Sequence, residues 1–361
     1  MRLQLNTIKI GHKAIGAGEP TFVIAEAGMN HNSDPVLARK LVEGAARSGA
    51  DAIKFQNYTA DNLVTKTAPK YYADTMEQWE RGDPSTGYQY DEFENLDKLP
   101  PDTYQEITAL CRQMGLVFMS TPFDEESVDL LVDLKASAFK IASADITYLP
   151  FLEYVASKQL PVILSTGCST IGEIDEALEV IYSTGNDKVI LLHCTLSYPS
   201  KVSDANLNMM RQMMTIYPDI PIGLSDHTLG TLVPILAASH GATVIEKHYT
   251  IDKSLPDSTD HFMSVDPPEL KQMVADIRSA ESAMGISRKK VIPSENESRA
   301  YARRSLVAKT FIEKGAQITP DHLAFKRPGT GMAPKNINLF IGKTAKKDIQ
   351  SDELLSFNLI S

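Results

Sequence analysis

Short runs of mostly apolar, β-rich residues recur along the chain, and each ends in polar residues. They begin at Thr21 (TFVIAEAG), Asp51 (DAIKFQ), Leu116 (LVFMSTPF), Ala138 (AFKIAS), Pro161 (PVILSTG), Val189 (VILLHCT), Pro221 (PIGLSDH) and Thr243 (TVIEKHY). Near-continuous apolar runs suit strands of a parallel sheet covered on both faces. Between them, apolar residues repeat at three and four, the spacing of an amphipathic helix. DPVLARKLVEGAARSGA is one such stretch, with Asp34 as cap, Pro35 at the first helical position and Gly49 past the far end. DEESVDLLVDLKA, TIGEIDEALEVIYSTG, LGTLVPILAASHGA and DPPELKQMVADIRSAESAMG read the same way. Strands alternating with helices in this number predict an α/β fold, a (β/α)₈ TIM barrel over residues 1–285. An open doubly wound sheet is the rival, but it wants a G-x-G-x-x-G after the first strand, and EAGMNHN is not that.

Two segments break the pattern. Between Asn57 and Pro100 lies a long insertion rich in Tyr, Asp and Thr, holding the single tryptophan, Trp79. Over a barrel mouth such a loop is either a lid or a surface excursion. After Gly285 the chain turns polar and loses its period, which predicts a linker over 286–300. RRSLVAKTF, LAFKRPG, GKTAKKDI and LLSFNLI follow, and predict a small, mainly β domain over 301–361. A domain that small buries little core and should pack on another surface.

In barrels of this kind the chemistry sits at the C-terminal strand ends. Here those ends carry Glu26, Asn30 and His31; Lys54 and Gln56; Ser120 and Thr121; Lys140 and Ser143; Ser165 and Thr166; Thr195 and Tyr198; Ser225, Asp226 and His227; and Glu246 and His248. One polar end means little, because loops are polar anyway. The set brings two lysines, three to four histidines and several hydroxyls around one ring. Side chains alternate along a strand, so Lys54 shares a face with Gln56, Ser225 with His227, and Glu246 with His248. Two imidazoles on neighbouring strands suit a divalent metal, and the residues alone do not choose among Mn²⁺, Zn²⁺ and Co²⁺. Lys54 and Lys140 beside hydroxyls make a phosphate or carboxylate cradle. Either lysine can also be read as a Schiff-base nucleophile. Glu26 is a candidate general acid or base, or else a structural partner of a lysine.

Composition narrows the class. The 361 residues are 43% hydrophobic and 23% charged, as in ordinary soluble proteins, and the net charge of −10 argues against nucleic-acid binding. No apolar stretch is long enough for a membrane span, and none resembles a signal peptide. Three scattered cysteines predict neither a disulfide framework nor a thiolate zinc site, so a cytoplasmic location is expected.

VIAEAGMNHN, IKFQ, STPFD, FKIASAD, ILSTG, LLHCT, GLSDHT, EKHYT and FKRPGTG, in this order, resemble the sialic acid (nonulosonic acid) synthase family. That family includes N-acetylneuraminate, legionaminate and pseudaminate synthases and spore-coat polysaccharide proteins. The tail from Arg303 is similar to its antifreeze-like (SAF, β-clip) domain. The resemblance implies condensation of phosphoenolpyruvate with an open-chain N-acetylated hexose to a nine-carbon α-keto acid, with C–O cleavage and release of phosphate. It implies a divalent metal, usually Mn²⁺ with Mg²⁺ or Co²⁺ as alternatives, on His227 and His248. It implies Glu26 as acid/base residue, catalytic roles for Lys54, Lys140 and Asp145, and phosphoenolpyruvate contacts from Lys54, Thr121, Lys140, Ser143, Ser165 and Ser225. Gln56, Tyr198 and Asp260 match the sugar side, and Arg327 would come from a second copy in a domain-swapped homodimer. The chain also departs from the pattern. HCTLSYP puts Leu196 where neuraminate enzymes carry an amide, Asp145 stands where many members have Glu, and SLPDSTDHFMS is longer than usual, leaving Asp257 a rival to Asp260. Members with other residues at the Leu196 position often use 2,4-diacetamido-trideoxy sugars.

Overall fold

A computed structural model of the protein describes residues 7–83, 85–96 and 98–361. Strands β1 (Ile8–Ile10) and β2 (Lys13–Ile15) form an antiparallel hairpin. Eight strands then close a parallel barrel: β3 (Phe22–Gly28), β4 (Ala52–Asn57), β5 (Val117–Pro122), β6 (Phe139–Ile141), β7 (Val162–Ser165), β8 (Val189–Cys194), β9 (Ile222–Asp226) and β10 (Val244–His248). All eight coincide with the predicted runs. Closure is by β10 on β3, with His248 opposite Glu26.

Helices α1 (Pro35–Arg47), α5 (Pro101–Gln113), α6 (Glu125–Asp133), α7 (Leu149–Ser157), α8 (Ile171–Ser183), α9 (Leu207–Ile216), α10 (Leu232–Ser239) and α11 (Pro267–Met284) follow the successive barrel strands. The long insertion holds three short ones, α2 (Ala60–Leu63), α3 (Met76–Arg81) and α4 (Gln89–Leu96). Their starts were legible from side-chain chemistry. Asp34 caps α1 through the Val36 amide, and Thr170–Glu173 and Asp266–Glu269 form reciprocal capping boxes on α8 and α11.

Alternation divides each strand between two cores. Val23, Ala25, Ile53, Phe55, Phe139 and Ile141 face outward into the layer between barrel and helices. Phe22, Ile24, Ala52, Val117, Met119, Ala138, Ile163, Ile190, Leu192 and Val244 fill the barrel, and Ile8, Ile10 and Ile15 of the hairpin join them. The inward series of β3 therefore runs Phe22, Ile24, Glu26, and that of β10 runs Val244, Glu246, His248. Each series begins in apolar packing and ends in a polar group at the same end of the barrel. The fold lifts the functional residues onto an oily floor.

The chain divides into two compact units, up to Gly285 and Ile286–Ser361. The second contains the antiparallel pair β11 (Ser305–Ala308) and β12 (Leu323–Lys326), single bridges such as Ile312 to Ile349, and a core around Leu306, Ile318, Phe340 and Leu355. The segment expected to be a linker is exposed, but it is not structureless. It contains a 3₁₀ turn at Pro293–Glu295 and the helix α12 (Asn296–Tyr301). A helix of under two turns cannot display a period, which is why the sequence pattern hid it.

Gly223 faces into the barrel without room for a side chain. A Cβ there would lie 2.4 Å from the Val244 carbonyl oxygen and 2.7 Å from Leu192 Cδ2. The backbone oxygen cannot yield without disturbing β10. Gly223→Ala should therefore cost about 1–3 kcal/mol of stability through overpacking, read as a lowered urea midpoint at unchanged slope.

Candidate active site

A cavity of about 350 Å³ opens at the polar end of the barrel. Glu26, Lys54, Gln56, Thr121, Lys140, Ser143, Asp145, Ser165, Tyr198, Ser225, His227, His248 and Asp260 all line it, so the structure gathers every predicted site residue of the first unit. Arg327 lies in the second unit, directly after β12. The expectation of three to four histidines around the ring is corrected to two. His31 turns away and its Nδ1 accepts from the Ser33 amide, while His193 faces outward and bonds the Ala205 carbonyl. Ser120 and Thr166 also turn out of the site, to Asn57 and to the Leu192 carbonyl. Of Asp257 and Asp260, only Asp260 lines this cavity. Asp257 is exposed in a left-handed backbone conformation (φ 80°), whereas Asp260 is buried and its Oδ2 lies 3.2 Å from His248 Nδ1.

At the centre is a buried charge cluster. Lys54 Nζ lies 2.7 Å from Glu26 Oε2, 2.9 Å from Thr121 Oγ1 and 3.8 Å from Glu246 Oε2. Lys140 Nζ lies 3.4 Å from Glu246 Oε1, which also accepts from Ser225 at 2.9 Å. Gln56 donates to the other oxygen of Glu26 at 3.1 Å. The two carboxylates differ in character. Burial raises the pKa of Glu26, outweighing the ammonium of Lys54. Burial also pushes against ionisation of Glu246, but Lys140 and Lys54 together hold it well below the carboxylate range. The environment biases Glu26 towards its protonated form and Glu246 towards its ionised form. Burial lowers the pKa of Lys140 in turn.

Glu246 was seen on the sequence only as the face-mate of His248 and was not placed among the site residues. Its signal was there, two positions before a histidine on an inward face. What could not be read was that both lysines converge on it.

The histidine pair stands beside this cluster, with ring centroids 5.2 Å apart. His227 Nδ1 bonds the Thr195 carbonyl at 2.9 Å, and Tyr198 packs on the same ring at 4.2 Å between centroids. Burial and the neighbouring His248 push the pKa of His227 down to about 3, so its imidazole is neutral. Burial disfavours the charged form of His248, but Asp260 and Glu26 lift its pKa above the ordinary value. Nδ1 of each ring faces an oxygen, which leaves both Nε2 atoms available. That is the outer-shell arrangement metal-binding histidines use. Among the described residues no group of three or more His, Cys, Asp or Glu is arranged to hold a metal. The donor set thus fits an ion bound by two imidazoles, with water or substrate oxygen in the remaining positions.

Buried polar atoms without a hydrogen bond concentrate here. Glu26 Oε2, Asp145 Oδ2, Ser165 Oγ, Glu246 Oε2 and His248 Nδ1 are five such atoms, and only Ser85 Oγ and Tyr249 Oη join them among the described residues. Three of them stand in ion pairs, Glu26 Oε2 and Glu246 Oε2 with Lys54 and His248 Nδ1 with Asp260, while Asp145 Oδ2 and Ser165 Oγ are left unmatched, as in a place built for a polar ligand. The outer wall is different. Leu63, Val64, Phe93, Leu196, Phe262 and Met29 line it, several of them from the insertion.

With this geometry in view, the comparisons with known proteins are specific. The model of the NeuB family matches residues 41–289, and that of the SAF domain matches 303–361. The chain belongs to the NeuB family. The N,N'-diacetyllegionaminic acid synthase of Legionella pneumophila is 43% identical over 351 residues, 96% of each chain. The pseudaminic acid synthase of Helicobacter pylori is 34% identical, over 94% of this chain and 97% of its own. The N-acetylneuraminic acid synthetase structure from Leptospira borgpetersenii superposes with a TM-score of 0.70 at 32% identity, covering 82% of this chain and 95% of that one. This NeuB-family chain is accordingly an enzyme of the synthase type, with the predicted barrel and SAF domain. No helix among the described residues is long and apolar enough to cross a membrane.

Asp145 offers a test of the site's electrostatics. Burial lifts its pKa from 3.8 to about 6, against the pull of Lys140. Between those values the folded chain binds more protons than the unfolded one. This group's contribution to stability therefore falls as pH rises through that window and stays unfavourable above it. Asp145→Asn should raise the denaturation midpoint at pH 7–8 and change it little at pH 3.5, measured by denaturant melts across that range.

Proposed function

We propose that this NeuB-family enzyme condenses phosphoenolpyruvate with an open-chain N-acetylated hexose, of the 2,4-diacetamido-trideoxy class, releasing phosphate. The observation that carries the reading is the buried Lys54–Lys140–Glu246–Ser225 cluster facing the His227–His248 pair across one small cavity. Two ammonium groups and the hydroxyls of Thr121, Ser143, Ser165 and Ser225 suit the phosphate and carboxylate of phosphoenolpyruvate. Gln56, Tyr198 and Asp260 stand on the histidine side, where the sugar would lie. The choice of sugar is supported by Leu196 and its apolar neighbours, which suit a deoxygenated carbon and acetamido methyl groups better than free hydroxyls.

The residues account for the proton traffic. C3 of phosphoenolpyruvate forms the new bond to the aldehyde carbon, and the aldehyde oxygen takes the proton held by Glu26. The cation left at C2 adds water, and the Glu26 carboxylate accepts the proton that water gives up. The tetrahedral carbon then expels phosphate by breaking its own C–O bond, and the proton of its hydroxyl leaves with the phosphate as the ketone forms. Lys54 and Lys140 balance the ligand's negative charge throughout, and Glu246 keeps both lysines in place. Two lysines against two carboxylates are near neutrality, so an incoming trianion further favours the protonated form of Glu26. A divalent ion held by His227 and His248 would supply Lewis-acid polarisation of the sugar's carbonyl oxygen. We infer further that Arg327, directly after β12 in the second unit, serves the sugar site from the second copy of a domain-swapped homodimer.

The test is phosphate release from phosphoenolpyruvate, with Mn²⁺ or EDTA, against N-acetylmannosamine, mannose and both 2,4-diacetamido-trideoxyhexoses. Release is expected with a diacetamido sugar and not in EDTA. His227→Ala and His248→Ala should abolish turnover and weaken Mn²⁺ binding in calorimetry; unchanged metal affinity would remove the ligand assignment. Release from N-acetylmannosamine alone would overturn the sugar class. Borohydride trapping of substrate on Lys54 or Lys140 would replace the mechanism with a Schiff-base one, and sugar binding that survives loss of His227, His248 and Lys140 without turnover would make the chain a binder. Arg327→Ala should raise KM for the sugar about tenfold or more, as loss of a charged hydrogen bond does, and leave that for phosphoenolpyruvate nearly unchanged.

A further inference from the structure

The insertion between β4 and α5 is folded onto itself and tied to the barrel at several points, Asn62 on Asp124 and the Asn95 carbonyl on Ser33 among them, and two of the ties reach loops beside the histidine pair. Internally, the Gln89 amide bonds the Ala68 carbonyl at 2.9 Å, and Lys70 Nζ bridges Asp74 and Glu92 at 2.9 Å each. The first tie is Glu92 on α4, buried at 8% exposure. Its Oε2 accepts from Tyr72 Oη at 2.9 Å within the insertion. Its Oε1 accepts from Thr259 Oγ1 at 2.9 Å, on the loop after β10. The second tie is Trp79 on α3, whose indole N–H donates to the Pro199 carbonyl at 2.9 Å, on the loop after β8. Each anchor sits one residue from a side chain that faces the histidine pair: Thr259 precedes Asp260, and Pro199 follows Tyr198. Glu92, Thr259 and Phe262 also line a second, outer cavity bounded by Lys70, Asp74 and Asp257, so the Glu92–Thr259 bond is part of the partition between that cavity and the catalytic one.

We propose that Glu92 and Trp79 are positioning residues, which clamp the insertion to the loops carrying Asp260 and Tyr198 and thereby set the sugar subsite. Among the described residues no hydrogen bond joins Glu92, Thr259, Trp79 or Pro199 to the phosphoenolpyruvate cradle of Lys54, Thr121, Lys140, Ser143, Ser165 and Ser225, so the clamp acts on the sugar side. A carboxylate in a buried site with three donors is held by charge-assisted bonds and cannot be released cheaply. Both loops are also fixed from the barrel side, by Ser258 on Asn30, His261 on Asn32 and the Ser200 amide on the His227 carbonyl, so the clamp adjusts Asp260 and Tyr198 within loops that are already held.

This assignment rests on the proposed condensation for its kinetic readout, but Trp79 supplies a second readout that does not. It is the only tryptophan in the chain, so its emission reports the clamp directly. The variants are Thr259→Val, which removes the hydroxyl at nearly constant shape, Thr259→Ser, which keeps it, and Glu92→Gln, which keeps acceptance from Thr259 but loses the charge. For Thr259→Val we expect KM for the sugar to rise about tenfold, the loss of one hydrogen bond to a charged group, with KM for phosphoenolpyruvate within about twofold. Thr259→Ser should restore the sugar KM, and Glu92→Gln should fall between them. In substrate-free protein, Trp79 emission should shift to the red in Thr259→Val and not in Thr259→Ser. Equal changes in both Michaelis constants, or a serine variant as damaged as the valine one, would overturn the clamp. If the wild-type protein releases no phosphate with any sugar, the function proposal falls, and Trp79 emission alone decides the clamp: identical spectra in the valine and serine variants would sink it.

Discussion

The structure turns on two lysines buried at the barrel mouth with two carboxylates. An unpaired ammonium in such a place would be severely penalised, and Lys54 and Lys140 are tolerated because Glu26 and Glu246 neutralise them within hydrogen-bond or ion-pair distance. Such clusters seldom add stability over an apolar core of the same shape. They are retained for what they can bind. The barrel meets that demand with rigid backbone: Glu26, Lys54, Lys140 and Glu246 each stand two residues past a member of the interior core, Ile24, Ala52, Ala138 and Val244. The result is a charge array that cannot relax around an arriving anion and does not need to.

A second buried pair supports the first from behind. Lys247 and Asp226 point outward from β10 and β9, with Nζ and Oδ2 2.7 Å apart, and Asp226 also accepts from the amide and hydroxyl of Thr228. Lys247 in turn donates to the Thr228 carbonyl. His227 lies between two residues fixed this way, so its ring has little freedom before Thr195 and Tyr198 constrain it further. The same two strands carry cavity-lining groups on one face and their scaffolding on the other.

The cavity is chemically two-sided. Its floor is charged and its residues come from the barrel strands, and its outer wall is largely apolar and comes from loops. That division follows from the fold. Strand ends hold a reacting centre to within small tolerances, whereas loops vary in length and composition and so can adapt to the far end of a substrate. In this chain the charged groups therefore stand on strands, while Leu196 and the apolar residues of the insertion line the cavity from loops.

The hydrophobic pattern determined most of this protein at the level of sequence. Near-continuous apolar runs placed all eight barrel strands, and alternation placed the inward faces that carry Lys54 with Gln56, Ser225 with His227 and Glu246 with His248, because side-chain direction in a strand is a local property of period two. It could not say which of several histidines share a cavity, and His31 was grouped with the site although its ring serves a local turn. Nor could it single out Glu246 or Glu92. A glutamate becomes the keystone of two lysines, or the anchor of a loop, only through partners tens to hundreds of residues away. Those partners were chosen by barrel closure and by the docking of the insertion. Periodicity records which face a residue occupies; only the tertiary structure decides what stands opposite it, since charges and hydrogen bonds act across space and leave no period in the chain.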